Sequence, residues 1–423
     1  MTTAEPTRRG DVTIPTGGVW LSWLLTRLLV LAVWGLFERI ATGDVLYYHG
    51  KLAALGEAGV AGTLVEYPTP VVALMAVPWL AGAGTQAGFL VAFVAAMLAL
   101  DAWLTRRLHR SGAPATALLF WLAFVPLLGP LALLRFDMVP AVLAGVALLW
   151  STRRPATAGG LVAAGAAIKL WPALLVPALL GGDRRWRTLA GFAGTGVALA
   201  LVSLVAGGWD RLVSPLTWQS DRGLQVESVW ATVLMVLHGT SPETYTVGYS
   251  RYQAFEVFGP QVGAWTTAAN LSMVAGLAVM AVLFWRVWRS GRADRLAAAT
   301  VMAAVVALMI VTNKTLSPQY VLWLGGPVAV MLAEASGTGS RHRRPVLWFA
   351  GATLVLTALT HLVYPVMYGA LVYDGPGPAQ ALALVVLALR NVGLLGLTVA
   401  AVVLAWRLTG RVTETEPERS VTA

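Results

Sequence analysis

The residues best suited to chemistry sit in a few short polar stretches of an otherwise apolar chain. The first is "RIATGDVLYYHGK", residues 39–51, which follows a long apolar run and carries Asp44 with Tyr47, Tyr48 and His49 close behind. A positioned carboxylate can take the proton of an attacking hydroxyl, so Asp44 is a candidate general base. A helix cap or an interfacial acid would leave the same trace. "VEYPTP", residues 65–70, offers Glu66 and Tyr67 to orient a base or bind a sugar, in a turn that Pro68 and Pro70 hold extended. "LLRFDMVPA", residues 133–141, sets Arg135 beside Asp137. That pair reads either as a local salt bridge tying two helix ends or, for Arg135, as a phosphate contact.

The richest stretch is "WQSDRGLQVESVWAT", residues 218–232, with Arg222, Gln225 and Glu227 between two tryptophans. Guanidinium and amide groups suit phosphates and sugar hydroxyls, and indole faces suit sugar rings; an amphipathic surface helix is the alternative. Lys314 in "NKTLSPQY" either snorkels to a membrane interface or faces a lipid-linked phosphate. His361 opens "HLVYPVMY", where a lone histidine is more often structural than catalytic. Other chemistries lack their motifs. No P-loop, helix-opening GxGxxG or HExxH occurs, and the absence of cysteine excludes a disulfide framework or thiol site. No D-x-D pair falls in the polar loops of the outer face assigned below, so no metal and no other cofactor is expected.

Composition dictates what must position these groups. The chain has 423 residues, 57% hydrophobic and 12% charged, with mean hydropathy +0.71; a soluble domain carries about 25% charged residues. Long apolar runs predict an all-α, polytopic membrane bundle, because backbone groups in lipid must be satisfied within the segment. The ten-residue alternation of a membrane barrel is absent. A net charge of +10 would point to nucleic acid in a soluble protein. Here it reads as cytoplasmic Lys and Arg that set orientation, and no nucleic-acid partner is expected.

Ten full spans are expected, at 19–37, 86–104, 114–134, 138–151, 188–206, 265–285, 295–311, 321–335, 345–363 and 381–406. Segment 70–83 is short for a span and reads as re-entrant. Segment 158–180, with Lys169 and Pro172 at its middle and basic flanks on both sides, reads as a Pro-broken re-entrant hairpin. This threading leaves a cytoplasmic tail at 1–17, a single transmembrane domain at 18–406 and a disordered cytoplasmic tail at 407–423. Both termini and the basic clusters then lie inside. Loops 38–85 and 207–264 lie outside and roof a cavity. Asp101 and Glu334 fall near inner helix ends and read as interfacial.

"GDVLYY", "EYPTP", "RFDMVPA", "AIKLWPALLVPALL", "RGLQVES" and "NKTLSPQYVLWL" occur in one order across the chain. In that order the sequence resembles glycosyltransferase family 87, and is similar to actinobacterial polyprenol-phosphate-mannose-dependent α-mannosyltransferases of the GT-C fold. The resemblance implies a plasma-membrane enzyme with an extracytoplasmic site and a polyprenyl-phosphate sugar as donor. Its acceptor would be a hydroxyl of a cell-envelope glycolipid or glycan. It matches Asp44 to the family's catalytic Asp, and Glu66 and Tyr67 to an E-Y-P-P turn whose second Pro is Thr69 here. Arg222, Gln225 and Glu227, then Lys314 and Gln319, match further family positions. A His in a later outer loop contributes in some relatives, and His361 is the natural counterpart. Tyr47 and Tyr48 are expected to shape the site and seat the loop at the interface. The rival reading is a transporter or flippase of a lipid-linked glycan, favoured only by Lys169 beside Pro172.

Overall fold

The computed structural model describes residues 13–292, 294–336 and 341–410. Most of the two expected tails therefore lies outside the described residues. The chain opens with α1 (Thr16–Leu36), α2 (Gly43–Ala53), α3 (Leu55–Gly62), α4 (Pro70–Ala81), α5 (Gln86–Arg110) and α6 (Ala115–Leu128). It continues with α7 (Met138–Trp150), α8 (Pro155–Ala166), a 3-10 segment at Trp171–Leu179, α9 (Arg185–Ser220) and α10 (Thr232–Thr240). A hairpin of β1 (Thr246–Tyr249) and β2 (Phe255–Phe258) follows, antiparallel, with Gly248 opposite Glu256. The last elements are α11 (Val262–Ser290), α12 (Arg295–Thr312), α13 (Leu322–Ala335), α14 (Arg343–His361), α15 (Tyr368–Val372) and α16 (Pro378–Leu408). The protein is an all-α polytopic membrane bundle, and the short hairpin is the one sheet among the described residues.

Eight of the ten expected spans are helices long and apolar enough to cross a membrane. The other two, α7 and α13, have 13 and 14 residues, short of the roughly 20 that a span needs, and their side chains are almost wholly buried inside the bundle. At the centre stands α12, whose Val301 to Ala307 are all buried, with α11, α13 and α16 packed on it. At the periphery, α1 and α9 turn Leu21, Leu25, Leu28, Val197 and Leu201 outward. An exposed apolar stripe on a long helix is the surface lipid requires.

Segment 158–180 enters as α8, turns at Lys169 and returns as the Trp171–Leu179 3-10 segment. Its two ends meet, because Arg184 Nη1 donates to Thr152 O at 3.0 Å. Pro177 inside the returning limb removes a backbone donor and disfavours a regular α-helix there. Segment 70–83 is the 12-residue α4, packed on α5 and α2.

Small residues let α8 and α9 approach closely. A Cβ at Gly159 would overlap Thr188 O, and one at Gly191 would overlap Ala156 O. Gly191→Ala is expected to lower the melting temperature in detergent by pushing these backbones apart, at a cost of about 1–3 kcal/mol for overpacking. A melting curve superposable on wild type would show that α9 is free to shift.

One charge lies deeper than its sequence position indicates. Asp101 is fully buried between α1, α5 and α6, and not interfacial. Arg27 grips it with two hydrogen bonds, Nε to Oδ2 at 2.7 Å and Nη2 to Oδ1 at 2.8 Å. The indoles of Trp23 and Trp121 add bonds of 2.7 and 2.8 Å. Glu334 pairs with Arg295 at 3.0 Å and remains partly exposed.

Candidate active site

At the end of the bundle away from the arginine-rich loops, a cavity of about 430 Å³ opens among α2, the loop before α4, the tip of the 158–180 hairpin, the end of α9 and the turn before α13. Asp44 stands on its wall. It sits in the first turn of α2, where the helix dipole favours an acid. Its partner is Arg135, whose Nε lies 2.7 Å from Asp44 Oδ2. The guanidinium is buried and fixed from behind: Nη1 donates to Ala41 O and Leu134 O, both at 2.9 Å, and Nη2 to the Tyr364 hydroxyl at 3.3 Å. Burial works against the Arg135 charge, but Asp44 together with the Tyr364 and Tyr48 hydroxyls outweighs it and holds the group protonated. The Asp44 side chain keeps 41% of its surface exposed, so the carboxylate is oriented by a buried cation yet open to the cavity.

Beside it, the Tyr47 hydroxyl donates to Glu66 Oε1 at 2.9 Å. Burial and the neighbouring Glu66 carboxylate raise the Tyr47 phenol above its ordinary pKa, so it stays a donor. Glu66 and Tyr67 line the cavity from a loop that α9 pins. Arg211 donates to Tyr67 O at 2.7 Å, Leu64 O at 3.0 Å and Thr63 O at 3.1 Å. Leu64 there has φ +51°, a left-handed conformation that costs a leucine energy and needs such support. Arg211→Met should release the loop. Losing several charge-assisted bonds, at about 1.5–3 kcal/mol each before relaxation, should lower both stability and turnover. Arg211→Met with wild-type turnover would show that the loop holds itself.

The cavity floor carries an ion pair that chain neighbourhood did not predict. Asp137 does not pair with Arg135. Lys169 Nζ, from the hairpin tip, reaches its carboxylate at 2.7 and 2.9 Å, and Trp323 Nε1 adds a bond of 2.8 Å. Rings of Tyr67, Phe136, Tyr320 and Trp323 surround the ammonium at 5.3–5.8 Å, a cation–π arrangement. Lys169 lines the cavity, whereas Asp137 is buried beneath it. The opposite wall bears Trp218 and Arg222 from the end of α9, with Tyr249, Tyr252 and Gln253 from the hairpin. Trp218 meets Tyr252 edge to face at 5.4 Å.

Of the residues singled out from sequence, Asp44, Tyr47, Tyr48, Glu66, Tyr67, Arg222 and Gln319 share this cavity. Tyr48 is almost wholly buried, packed on Phe136 and Tyr67, and shapes the wall. Gln225 and Glu227 lie outside the lining and anchor the segment: Gln225 N donates to Lys314 O at 3.1 Å. Glu227 meets the Arg390 guanidinium of α16 at 3.3 Å. Burial pushes the Glu227 carboxyl up to about 7 against the pull of Arg390. Lys314 is adjacent to the cavity without lining it, and partial burial lowers its ammonium pKa. His361 does not line the cavity; its Nε2 is 2.8 Å from Oε1 of Glu38. Sequence reading passed over Glu38 and Arg211 and undervalued Lys169. For Lys169 the signal was a charge isolated within an apolar stretch; Glu38 and Arg211 each have a charged neighbour, Arg39 and Asp210, and carry no such signal. Among the described residues no group of three or more His, Asp or Glu could hold a metal ion.

The sequence profile of glycosyltransferase family 87 matches residues 65–312, more than half of the chain. The chain belongs to glycosyltransferase family 87. It is therefore a glycosyltransferase built as a multi-pass membrane bundle. The match to family 87 takes in Glu66, Tyr67, Arg135, Asp137, Arg222, Gln225 and Glu227, and stops short of Asp44, Tyr47, Tyr48, Lys314, Gln319 and His361. No curated protein and no solved structure matches the chain.

Proposed function

We propose that this family 87 glycosyltransferase moves a sugar, mannose by family resemblance, from a polyprenyl-phosphate carrier to a hydroxyl of an envelope glycolipid or glycan, with inversion and on the extracytoplasmic face. The observation that carries the reading is the Asp44 carboxylate, fixed by Arg135 yet exposed to a cavity that also holds Arg222 and many aromatic rings. Asp44 takes the acceptor proton as the hydroxyl oxygen attacks the anomeric carbon. The bond from that carbon to the carrier phosphate breaks on the opposite face, through an oxocarbenium-like transition state, and the electron pair leaves with the phosphate. A β-linked donor thus gives an α-linked product.

Negative charge grows on the departing phosphate, and a fixed cation there favours the transition state over the ground state. Arg222 suits that role. It lines the cavity wall, so its guanidinium can face a phosphate bound there. Because the leaving group is a phosphate, the transfer calls for neither a general acid nor a metal. Tyr67, Trp218 and Tyr252 offer faces for the sugar ring, and Glu66 an acceptor for its hydroxyls.

The test is mass spectrometry of proteoliposomes supplied with polyprenyl-phosphate-mannose and envelope glycolipid, with and without EDTA. A glycolipid one hexose heavier, made equally well with the chelator, is the expected result. Passage of intact carrier lipid across the vesicle with no covalent product would instead establish a flippase.

A further inference from the structure

A second cavity, about 530 Å³, lies at the other end of the bundle, where α11, α12 and α16 end or begin around the Ser151–Thr152 turn. Arg289, Arg292, Arg341 and Arg407 line it, against a single lining carboxylate among the described residues, Asp294. That carboxylate is committed, since its Oδ1 accepts from Leu296 N at 2.8 Å and Ala297 N at 3.2 Å to cap α12. We propose that this cavity binds the phosphate head group of an anionic phospholipid.

Three features argue for a lipid over a soluble anion. The first is depth. Trp186, Trp285, Trp288 and Trp406 are exposed around this end, and Arg185, Arg289 and Arg286 stack on Trp288, Trp285 and Trp406 at 4.4, 5.0 and 3.8 Å. A tryptophan belt marks the head-group level of a bilayer. The second is the mixed wall. Arginines and serine hydroxyls share the cavity with Leu179, Val287 and Leu408, so a phosphate and the first methylenes of its acyl chains both find partners. The third is rigidity. Arg286 donates to Thr409 Oγ1 at 3.1 Å and Trp406 O at 2.8 Å, clamping α11 to α16. The arginines are thus presented by braced helix ends, and basic pockets between membrane helices are suited to anionic head groups.

Binding is read by native mass spectrometry of the full-length protein in detergent, titrated with dioleoylphosphatidylglycerol or dioleoylphosphatidylcholine, and by thermal melting with inorganic phosphate. Phosphatidylglycerol should bind far more tightly than phosphatidylcholine, and free phosphate should not raise the melting temperature. Arg292→Gln with Arg407→Gln should weaken phosphatidylglycerol binding about thirtyfold, from the roughly fivefold that one arginine contributes near a charged surface. Arg106→Gln with Arg110→Gln, exposed on α5 and away from the cavity, should leave it unchanged. If the first pair fails to fold, Arg407→Gln alone should show the fivefold loss. Equal weakening by both pairs, equal binding of the two lipids, or stabilisation by phosphate alone would each overturn the proposal.

Discussion

Asp44→Asn is expected to reduce transfer from polyprenyl-phosphate-mannose by about 10²–10⁴-fold, the usual contribution of a positioned proton acceptor. The amide has nearly the volume of the carboxylate and can keep its oxygen beside the Arg135 guanidinium. It cannot take a proton from an attacking hydroxyl. The loss should therefore fall on kcat, with KM for the donor little changed, because the groups proposed to hold the donor, Arg222 and the cavity rings, are untouched. Arg135 keeps its bonds to Ala41 O, Leu134 O and the Tyr364 hydroxyl but loses its counter-charge, so the fold should persist with a lowered melting temperature. Turnover of Asp44→Asn within a few-fold of wild type, measured below that melting temperature, would remove Asp44 as the base and move the search to Glu66.

The second large effect lies far from the cavity. Asp101→Ala should destabilise the bundle by about 3–5 kcal/mol, the cost of leaving one member of a buried ion pair without its partner. Arg27 would keep only its bonds to Thr26 Oγ1 and Leu122 O, and the indoles of Trp23 and Trp121 would lose their acceptor. A bilayer sharpens the penalty, since no water is available to replace the carboxylate. The reverse experiment separates pairing from packing. Arg27→Met with Asp101→Leu removes both charges and should recover much of the loss, because two apolar side chains cost no desolvation. Thermal unfolding in nanodiscs measures both. Asp101→Ala melting at the wild-type temperature would show that Arg27 finds another anion or reaches the interface.

Much of the architecture is legible in the chain because lipid imposes a simple rule. Apolar runs near 20 residues become helices whose backbone is satisfied internally, and eight of the ten expected spans have that form. The exceptions, α7 and α13, are apolar enough to read as spans. Their bounds, 138–151 and 321–335, are already short for a span; that neighbours cover them, so that they need not match the bilayer thickness, shows only in the bundle. The Pro-broken hairpin was legible for the same reason in reverse: Pro172 and basic residues on both flanks oppose a straight crossing, and the Arg184–Thr152 contact closes its two ends.

Pairing of charges was not legible. By itself the sequence determined that this is an apolar, all-α membrane chain, and that Asp44, Glu66, Arg135, Asp137, Arg222 and Glu227 sit in short polar stretches outside the basic loops. Only the tertiary structure decided that Arg135 turns to Asp44 and Asp137 to Lys169, although Arg135 and Asp137 are two residues apart. Side chains at i and i+2 at the mouth of a helix point in different directions, while α2 and the hairpin tip bring groups 91 and 32 residues distant within 3 Å. Hydrophobic pattern is written locally, residue by residue. The partner of a buried charge is set by which helices pack together, and that is a property of the whole bundle.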